Sequence, residues 1–325
     1  TLQGTAAGPT ERNAVVTTDE QTPRSDADGG WKDIIEDFTE DFFRFYFPDV
    51  HAAIDFSIMP KFLDSVLREI TVESESGGRE ADRLIEVRLK DGTVKWLLVH
   101  VEVQGYPDPT FAERMYIYNY RTFDKYHRDV ISLAVLTDND PDFRPTEYRR
   151  EMFGCSQVFR FPVVKLKDLA GAGLDASDNP FALVTRMQLD HLEAGTDPQK
   201  RLAARIGLTR PLYRHGFDRE QILRLYRFLG FLMRLPDDLA IEYHKEVESI
   251  EGELSMPYVT DTERLAEREG QLKGHREAVL DALEARFGEV PYTLAEAINH
   301  IDDAKRLREL HRLAILVKSL DEFAV

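Results

Sequence analysis

The spacing of apolar residues predicts that the ordered part of the chain begins with helices. From Trp31 onward large apolar side chains recur at helical spacing, and Pro48 is expected to end that helix. A second short helix is predicted over residues 60–68, and a first strand over residues 69–72. Residues 1–30 are rich in Thr, Gly, Asp and Pro and poor in large apolar side chains, which predicts a disordered leader.

The middle of the chain changes to the spacing of a β-sheet. Apolar and polar residues alternate over two long segments, and a continuous apolar run further on is typical of a buried strand. The resulting order is helix, three strands, helix and strand. The predicted elements are strands over 82–89 and 94–104, a helix over 111–126, a buried strand over 130–136 and a closing strand near 158–164.

Past residue 180 the pattern is helical to the end of the chain. Helices are predicted over residues 203–234 and 261–286, with a final helical hairpin that reaches Phe323. The predicted fold is therefore an α/β region followed by an all-helical C-terminal region. The predicted organisation is a leader over 1–30, an α/β domain over 31–165, a helical region over 166–260 and a C-terminal helical tail over 261–325.

Composition restricts the classes of protein to which the chain can belong. Its 325 residues include 59 acidic and 42 basic side chains, a formal charge of -17, which argues against a protein that coats nucleic acid. No apolar run reaches the ~20 residues that a membrane span needs, and no signal-peptide core is present. The single cysteine, Cys155, excludes a disulfide framework and a cysteine-based zinc site. A cytoplasmic location is expected.

Opposite charges separate into two neighbouring segments of the helical region. Residues 201–234 hold eight Arg against two acids, and residues 236–253 hold seven acids against one Lys. The segments are either two solvated helix faces that attract each other, or a basic arm that contacts phosphates beside an acidic helix.

The loop between the two long strands decides which side chains share a face. A two-residue loop, Asp91-Gly92, would place Asp82 on the apolar side of the hairpin. A three-residue loop that begins at Lys90, with Gly92 in the left-handed conformation, pairs Leu89 with Thr93. It gathers the apolar residues of both strands on one face, and it places Asp82 opposite His100. The second register is self-consistent, and we expect it.

In that register two carboxylates converge at the polar end of the hairpin. Asp82 lies diagonally across from Glu102, ~7–8 Å away at the backbone, which is within joint reach of one ion. Paired carboxylates of this kind suit a hard cation such as Mg²⁺, and Gln104 points the same way, where it can hold water or phosphate. The alternative is that Asp82, Glu102 and Gln104 are merely the exposed polar end of a hairpin.

Several stretches together resemble the Rpn family of recombination-promoting nucleases, which belongs to the PD-(D/E)XK nuclease superfamily. The resemblance covers residues 31 to about 260, and the segment around Arg286-Phe287-Gly288 is similar to the helical tail that often follows this domain. The stretches that carry it are ADRL (81–84), HVEVQ (100–104), FAERM (111–115), YNYR (118–121), LAVLTD (133–138) and NPFA (179–182).

The resemblance implies a restriction-endonuclease-like αβββαβ core and metal-dependent cleavage of DNA phosphodiesters. Asp82 and Glu102 would be the metal-binding carboxylates, with the backbone carbonyl of Val103 as a further ligand of Mg²⁺ or Mn²⁺. Gln104 would complete the catalytic set; the wider superfamily has lysine there, whereas the Rpn family has glutamine. Ala81 stands where the superfamily has proline.

Three side chains of the predicted helix over 111–126 are candidates for DNA contact. Arg114 and Arg121 are about two helical turns apart, so both can face the phosphates, and Tyr118 lies between them. The alternative interpretation is that all three side chains only pack on the helix surface or are solvated. His100 lies beside the candidate site, where we expect it to support the catalytic groups.

Two functions are therefore expected. The first is a Mg²⁺-dependent DNA endonuclease, which by its resemblance to the Rpn family would promote recombination. The second is a catalytically weak nuclease fold that acts as a binding or regulatory module, with its C-terminal helices joining copies of the chain or docking a partner. A DDE-type transposase is less consistent with the predicted order of strands.

Overall fold

A computed structural model describes residues 24–71, 83–102, 108–171, 173–214, 216–317, 319–320 and 323. These residues form two compact units. One contains the described residues of 1–36 and 53–164, and the other contains 37–52 and those from 165 onward. The first unit is mixed α/β and the second is helical, as the sequence predicts. The segment 37–52, which the sequence analysis assigned to the first domain, belongs to the helical unit.

The first unit contains both strands and helices, and the second unit is helical. The strands are β1 (Lys61–Phe62), β2 (Arg83–Arg88), β3 (Val94–Glu102), β4 (Val130–Leu136), β5 (Glu147–Met152), β6 (Cys155–Arg160) and β7 (Val163–Lys165). The helices are α1 (Arg24–Asp37), α2 (Thr39–Tyr46), α3 (Pro48–Ala53), α4 (Asp64–Thr71), α5 (Phe111–Tyr126), α6 (Pro180–Ala194), α7 (Pro198–Arg214), α8 (Arg219–Leu232), α9 (Asp237–Leu254), α10 (Tyr258–Phe287), α11 (Tyr292–Asn299) and α12 (Ala304–Leu316).

A five-stranded mixed sheet organises the first unit, in the order β1-β2-β3-β4-β7. The first three strands are antiparallel, and β4 runs parallel to β3 after the crossover through α5. Leu84 and Leu98 are buried on one side of the sheet, and Ile85 and Val99 are equally buried, so both faces are covered. The predicted succession of two long strands, a helix and a buried strand is confirmed, whereas helix α4 lies between β1 and β2 where three successive strands were predicted.

The loop between β2 and β3 has the predicted length of three residues. Leu89 N–H donates to the carbonyl of Thr93 at 2.8 Å, and Gly92 takes a left-handed φ of 86°. Glycine suits this position because it lacks a Cβ. The strand pairs that follow run from Arg88↔Val94 to Arg83↔Val99. The register chosen from the distribution of apolar residues is therefore confirmed over the described part of the hairpin.

The structure corrects the predictions for the first helices. The first helix begins at Arg24 rather than at Trp31, and Pro48 begins α3 instead of only ending a helix, because proline is tolerated at the first helical position. The helix predicted over 60–68 is instead strand β1 followed by α4. The strand predicted over 69–72 is also wrong, since α4 continues to Thr71. Its Leu67 packs into the same apolar cluster as Leu84 and Leu98 of the sheet.

The strand predicted near residues 158–164 is two strands, β6 and β7. They separate at Phe161 and Pro162, where Ala134 N–H donates to the carbonyl of Pro162 at 3.0 Å. Strand β6 pairs with β5 in a second, two-stranded sheet that the sequence analysis did not predict. Most side chains of this hairpin are exposed, so it has no apolar alternation to reveal it.

The helical unit is held by aromatic packing and by buried hydrogen bonds. Phe42 of α2 meets Phe181 of α6 edge to face, with 5.2 Å between the ring centroids. The hydroxyl groups of Tyr46 and Thr185 lie 2.8 Å apart and share a hydrogen bond. Because α2 is fastened to α6 in this way, the segment 37–52 is an integral part of the helical unit.

The two segments of opposite charge lie on helices that pack together. Arg210 of α7 binds Glu253 of α9 at 2.7 Å, as expected for helix faces that attract each other. Arg205 is buried, and its guanidinium group lies 4.0 Å from the ring centroid of Tyr243. These two arginines therefore serve to join helices.

Helices α10, α11 and α12 share a core of their own, and they bury most of their leucines against one another. The buried members of this core are Leu272, Val279, Leu283, Ile298, Leu307, Leu310, Ala314, Val317 and Phe323.

Among the described residues no helix is long and apolar enough to cross a membrane.

Candidate functional site

The parallel strands β3 and β4 end side by side. Glu102, the last residue of β3, pairs with Leu136, the last residue of β4, and His100 pairs with Ala134. Helix α5 lies in the connection between these two strands. In α/β sheets the groups that act on ligands gather beyond the carboxyl ends of the strands. Glu102 therefore stands at the edge of the sheet where a site is expected.

The other predicted catalytic residues lie at the borders of the described segments. Asp82, Val103 and Gln104 lie outside the described residues, and of His100 and Glu102 only the backbone is described. The expectation that Asp82 faces His100 rests on the three-residue loop, which is confirmed. The predicted roles of these five residues stay predictions.

The residue that follows Asp82 in the sequence is firmly anchored. Arg83 is buried, and its guanidinium group binds Glu36 of α1 at 2.7 Å and also Asp64 of α4. It donates a further hydrogen bond to the carbonyl of Lys32 at 3.3 Å. Two helices thus fix the first described residue of β2, immediately next to a predicted metal-binding carboxylate.

Two of the three candidate DNA-contacting side chains point into the protein. Arg114 and Asp108 form an ion pair of 3.2 Å in which both side chains are less than 10% exposed. Tyr118 is fully buried in the apolar cluster that contains Leu84 and Leu98, so it is placed to pack rather than to touch a phosphate. Arg121 is half-buried. The structure therefore does not present the three side chains together on an outer face.

A sequence signal for this burial exists in α5. Arg114 and Tyr118 belong to the same helical stripe as Phe111, Met115 and Thr122, all of which are buried. Because the stripe contains an arginine and two residues with hydroxyl groups, the sequence alone leaves open whether it faces the sheet or the solvent.

Two buried aspartates, one just before α5 and one just after β4, were missed in the sequence analysis. Asp108 accepts hydrogen bonds from the backbone N–H and the hydroxyl of Thr110, at 2.9 and 2.7 Å, just before α5 begins. Asp138 follows β4 by two residues and is almost completely buried, with a bond from Asp140 N–H at 2.9 Å. Its position directly after a buried strand is the signal that could have identified it.

The donor chemistry of the predicted ligands suits a hard cation. Two carboxylates and a backbone carbonyl offer only oxygen, which Mg²⁺ and Mn²⁺ prefer. Within the part of the chain that the structure describes, no three or more His, Cys, Asp or Glu side chains come together in a way that could hold a metal ion. A metal site at this edge therefore depends on Asp82 and on the Glu102 side chain.

Comparison of the chain with protein-family models, with curated proteins and with solved structures gives no match.

Proposed function

We propose that this protein is a metal-dependent DNA endonuclease of the PD-(D/E)XK type. The observation that carries the proposal is the β2–β3 hairpin beside β4. Its register follows the three-residue loop, and Glu102 ends β3 next to the end of β4. The same loop underlies the prediction that Asp82 and Glu102 act together. The resemblance of the sequence to Rpn nucleases supports the same assignment.

In the proposed site Asp82, Glu102 and the Val103 carbonyl would hold Mg²⁺ or Mn²⁺. A bound ion of this kind supplies Lewis-acid stabilisation of the charge that develops on the phosphate. Gln104 can accept a hydrogen bond from an attacking water and donate one to a phosphate oxygen, but it carries no charge. We therefore expect slower turnover than with lysine at this position.

Several described contacts would position this chemistry. Arg83, bound to α1 and α4, would fix the backbone next to Asp82. The Asp108–Arg114 pair fixes the start of α5, which lies between the two strands in the chain. Asp138 is a further carboxylate near the end of β4, and we propose that it supports the site from within the fold.

The proposed substrate is DNA, bound weakly and in a strongly salt-dependent way. A formal charge of -17 opposes the approach of a polyanion, so local basic groups must supply the attraction. We place the protein in the cytoplasm, where its one cysteine, the exposed Cys155, would stay reduced.

The second candidate function is a nuclease fold that binds partners with little or no catalysis. Its supporting observation is the neutral Gln104. The C-terminal helices bury their leucines against one another, so self-association through them would have to use other side chains, such as the exposed Ile315 and Leu316.

Metal titration separates the two functions. Mn²⁺ binding is followed by electron paramagnetic resonance in the wild type and in Asp82→Asn, Glu102→Gln and Asp124→Asn. Asp124 is an exposed carboxylate near the far end of α5 and serves as the control. The nuclease proposal expects binding that both site variants weaken and the control retains. Wild-type protein that binds no Mn²⁺, or site variants that bind it equally well, would support the binding module.

A further inference from the structure

The β5–β6 hairpin has no role in the proposed chemistry. We call residues 147–160 the β5–β6 arm. Its six residue pairs run from Glu147↔Arg160 to Met152↔Cys155. The turn at the tip is Phe153-Gly154, and both residues have left-handed φ values, of 50° and 81°. This is the backbone of a tight two-residue hairpin turn.

The base of the arm is anchored on helix α5. The ring of Tyr148 stacks on Tyr116 with 5.0 Å between centroids and an interplanar angle of 10°. The amide of Gln157 donates a hydrogen bond to the Tyr116 hydroxyl at 2.5 Å. Phe159 lies 5.9 Å from the same ring. These contacts reach from the base to Gln157, halfway along the arm, and hold the arm in a defined direction, whereas Phe153 at the tip is exposed.

The tip presents apolar side chains to solvent. Phe153 is fully exposed and Met152 is 60% exposed. Asn or Asp is usual at the first turn position, because a bulky residue with a positive φ is strained. A phenylalanine there gains nothing from burial in this chain and destabilises the turn. Strain of this kind points to a use of the side chain in binding.

The sides of the arm are basic in a chain that is acidic as a whole. Residues 147–160 contain three Arg and two Glu, a local charge of +1 against -17 for the chain. Arg149 binds Glu151 at 3.1 Å and Arg160 binds Glu147 at 2.9 Å. Arg150 is exposed and has no ion-pair partner among the described residues. This local charge is complementary to a polyanion.

We propose that the β5–β6 arm enters the major groove of duplex DNA. A two-stranded β-ribbon fits that groove, where apolar side chains can contact thymine methyl groups. Arg150 contacts the phosphates, and Phe153 lies against the base edges. The identity of the ligand as DNA rests on the proposed function, while the arm itself is argued from its shape, charge and exposed tip. The proposed occupant is DNA and not a second copy of the chain.

The test measures binding of a fluorescein-labelled 20-base-pair duplex by anisotropy, with EDTA present so that no cleavage occurs. The variants are Phe153→Asn and Arg150→Gln, with Arg128→Gln as the control, because Arg128 is exposed and lies outside the arm. Asparagine tolerates the backbone of the turn, so Phe153→Asn is expected to fold at least as stably as the wild type.

We expect Phe153→Asn to weaken DNA binding by about tenfold, and Arg150→Gln to lower the slope of log affinity against log salt by about one. The control should bind like the wild type. Equal affinity of all variants, or no binding by the wild type, would overturn the proposal. So would a Phe153→Asn protein that changes from dimer to monomer in sedimentation velocity while it binds DNA unchanged.

The same proteins distinguish failure of the arm from failure of the nuclease. If the wild type and both arm variants nick plasmid DNA equally well with Mg²⁺, the arm proposal is wrong and the nuclease proposal stands. If binding depends on the arm but no plasmid is nicked, the arm proposal stands and the nuclease proposal is wrong.

Discussion

Glu251 joins three parts of the helical unit through its buried carboxylate. It is 1% exposed and accepts hydrogen bonds from Val259 N–H at 2.7 Å, Thr260 N–H at 3.0 Å and the Thr260 hydroxyl at 2.5 Å. Tyr213 of α7 donates a fourth bond at 2.5 Å. Burial, followed by the bond to Glu251, raises the pKa of Tyr213, so this hydroxyl stays a donor. Glu251→Ala removes all four acceptor contacts at once.

The free energy of unfolding lost in Glu251→Ala can be worked out from these contacts. A hydrogen bond to a charged group contributes about 1.5–3 kcal/mol to stability, and each buried donor left without an acceptor lowers the stability further. The contributions of the four bonds are not additive, because they share one carboxylate. Thr260 is half-buried, so water can form hydrogen bonds with its groups in the variant and reduce the loss. We expect a loss of about 4 kcal/mol, or about 8–16 °C in Tm for a unit of this size.

Urea denaturation and thermal melting of the whole chain check this value. The matched control is Glu242→Ala, because Glu242 lies exposed on the same helix α9. The control should lie within about 0.5 kcal/mol of the wild type. If Glu251→Ala unfolds with nearly the same midpoint as Glu242→Ala, the reasoning that this carboxylate fastens α7, α9 and α10 together is refuted.

Two further predictions concern buried charges. In urea denaturation, Arg114→Met should lower the free energy of unfolding by about 3–5 kcal/mol, because it leaves Asp108 buried without its cation. Arg83→Met should lower it by only about 2 kcal/mol, since the partners of Arg83 are 35% and 53% exposed. Equal losses in the two variants would contradict this reasoning. Burial, and then the charge of Arg201, lower the pKa of His191 from 6.5 to about 4. The contribution of neutral His191 to stability is therefore fully present above pH 6.5. About 3 kcal/mol of the free energy of unfolding is lost as the pH falls from 6.5 towards 4, because the unfolded chain takes up the proton first. His191→Gln should flatten the dependence of stability on pH in that range; an unchanged dependence would show that the histidine is not shielded from protons.

The sequence predicted the central hairpin, helix α5 and strand β4 because local patterns determine them. Gly92 and the distribution of apolar residues in β2 and β3 permit one self-consistent register, and the continuous apolar run of β4 requires burial on both sides. Strand β1 could not be predicted in this way. Its two residues, Lys61 and Phe62, are a strand only because they pair with Glu86 and Ile85 of β2.

The candidate site was predictable in position but less so in its surroundings. The end of β3 follows from alternation, which places Glu102 at the edge of the sheet. The inward direction of Arg114 and Tyr118 depends on packing between α5 and the sheet, which a helical pattern with mixed polarity does not specify. The β5–β6 arm escaped prediction because its exposed residues follow no apolar period, and because Phe153-Gly154 is an unusual turn sequence.

Nicking of supercoiled plasmid at low salt tests the proposed nuclease most directly. Wild-type protein is compared with Asp82→Ala, Glu102→Ala and the control Asp124→Asn, each with Mg²⁺, with Mn²⁺ and with EDTA. The account predicts metal-dependent nicking that the control retains and that falls by at least about 100-fold in both alanine variants. Folded wild-type protein that leaves the plasmid intact, or alanine variants that nick as fast as the wild type, would contradict it.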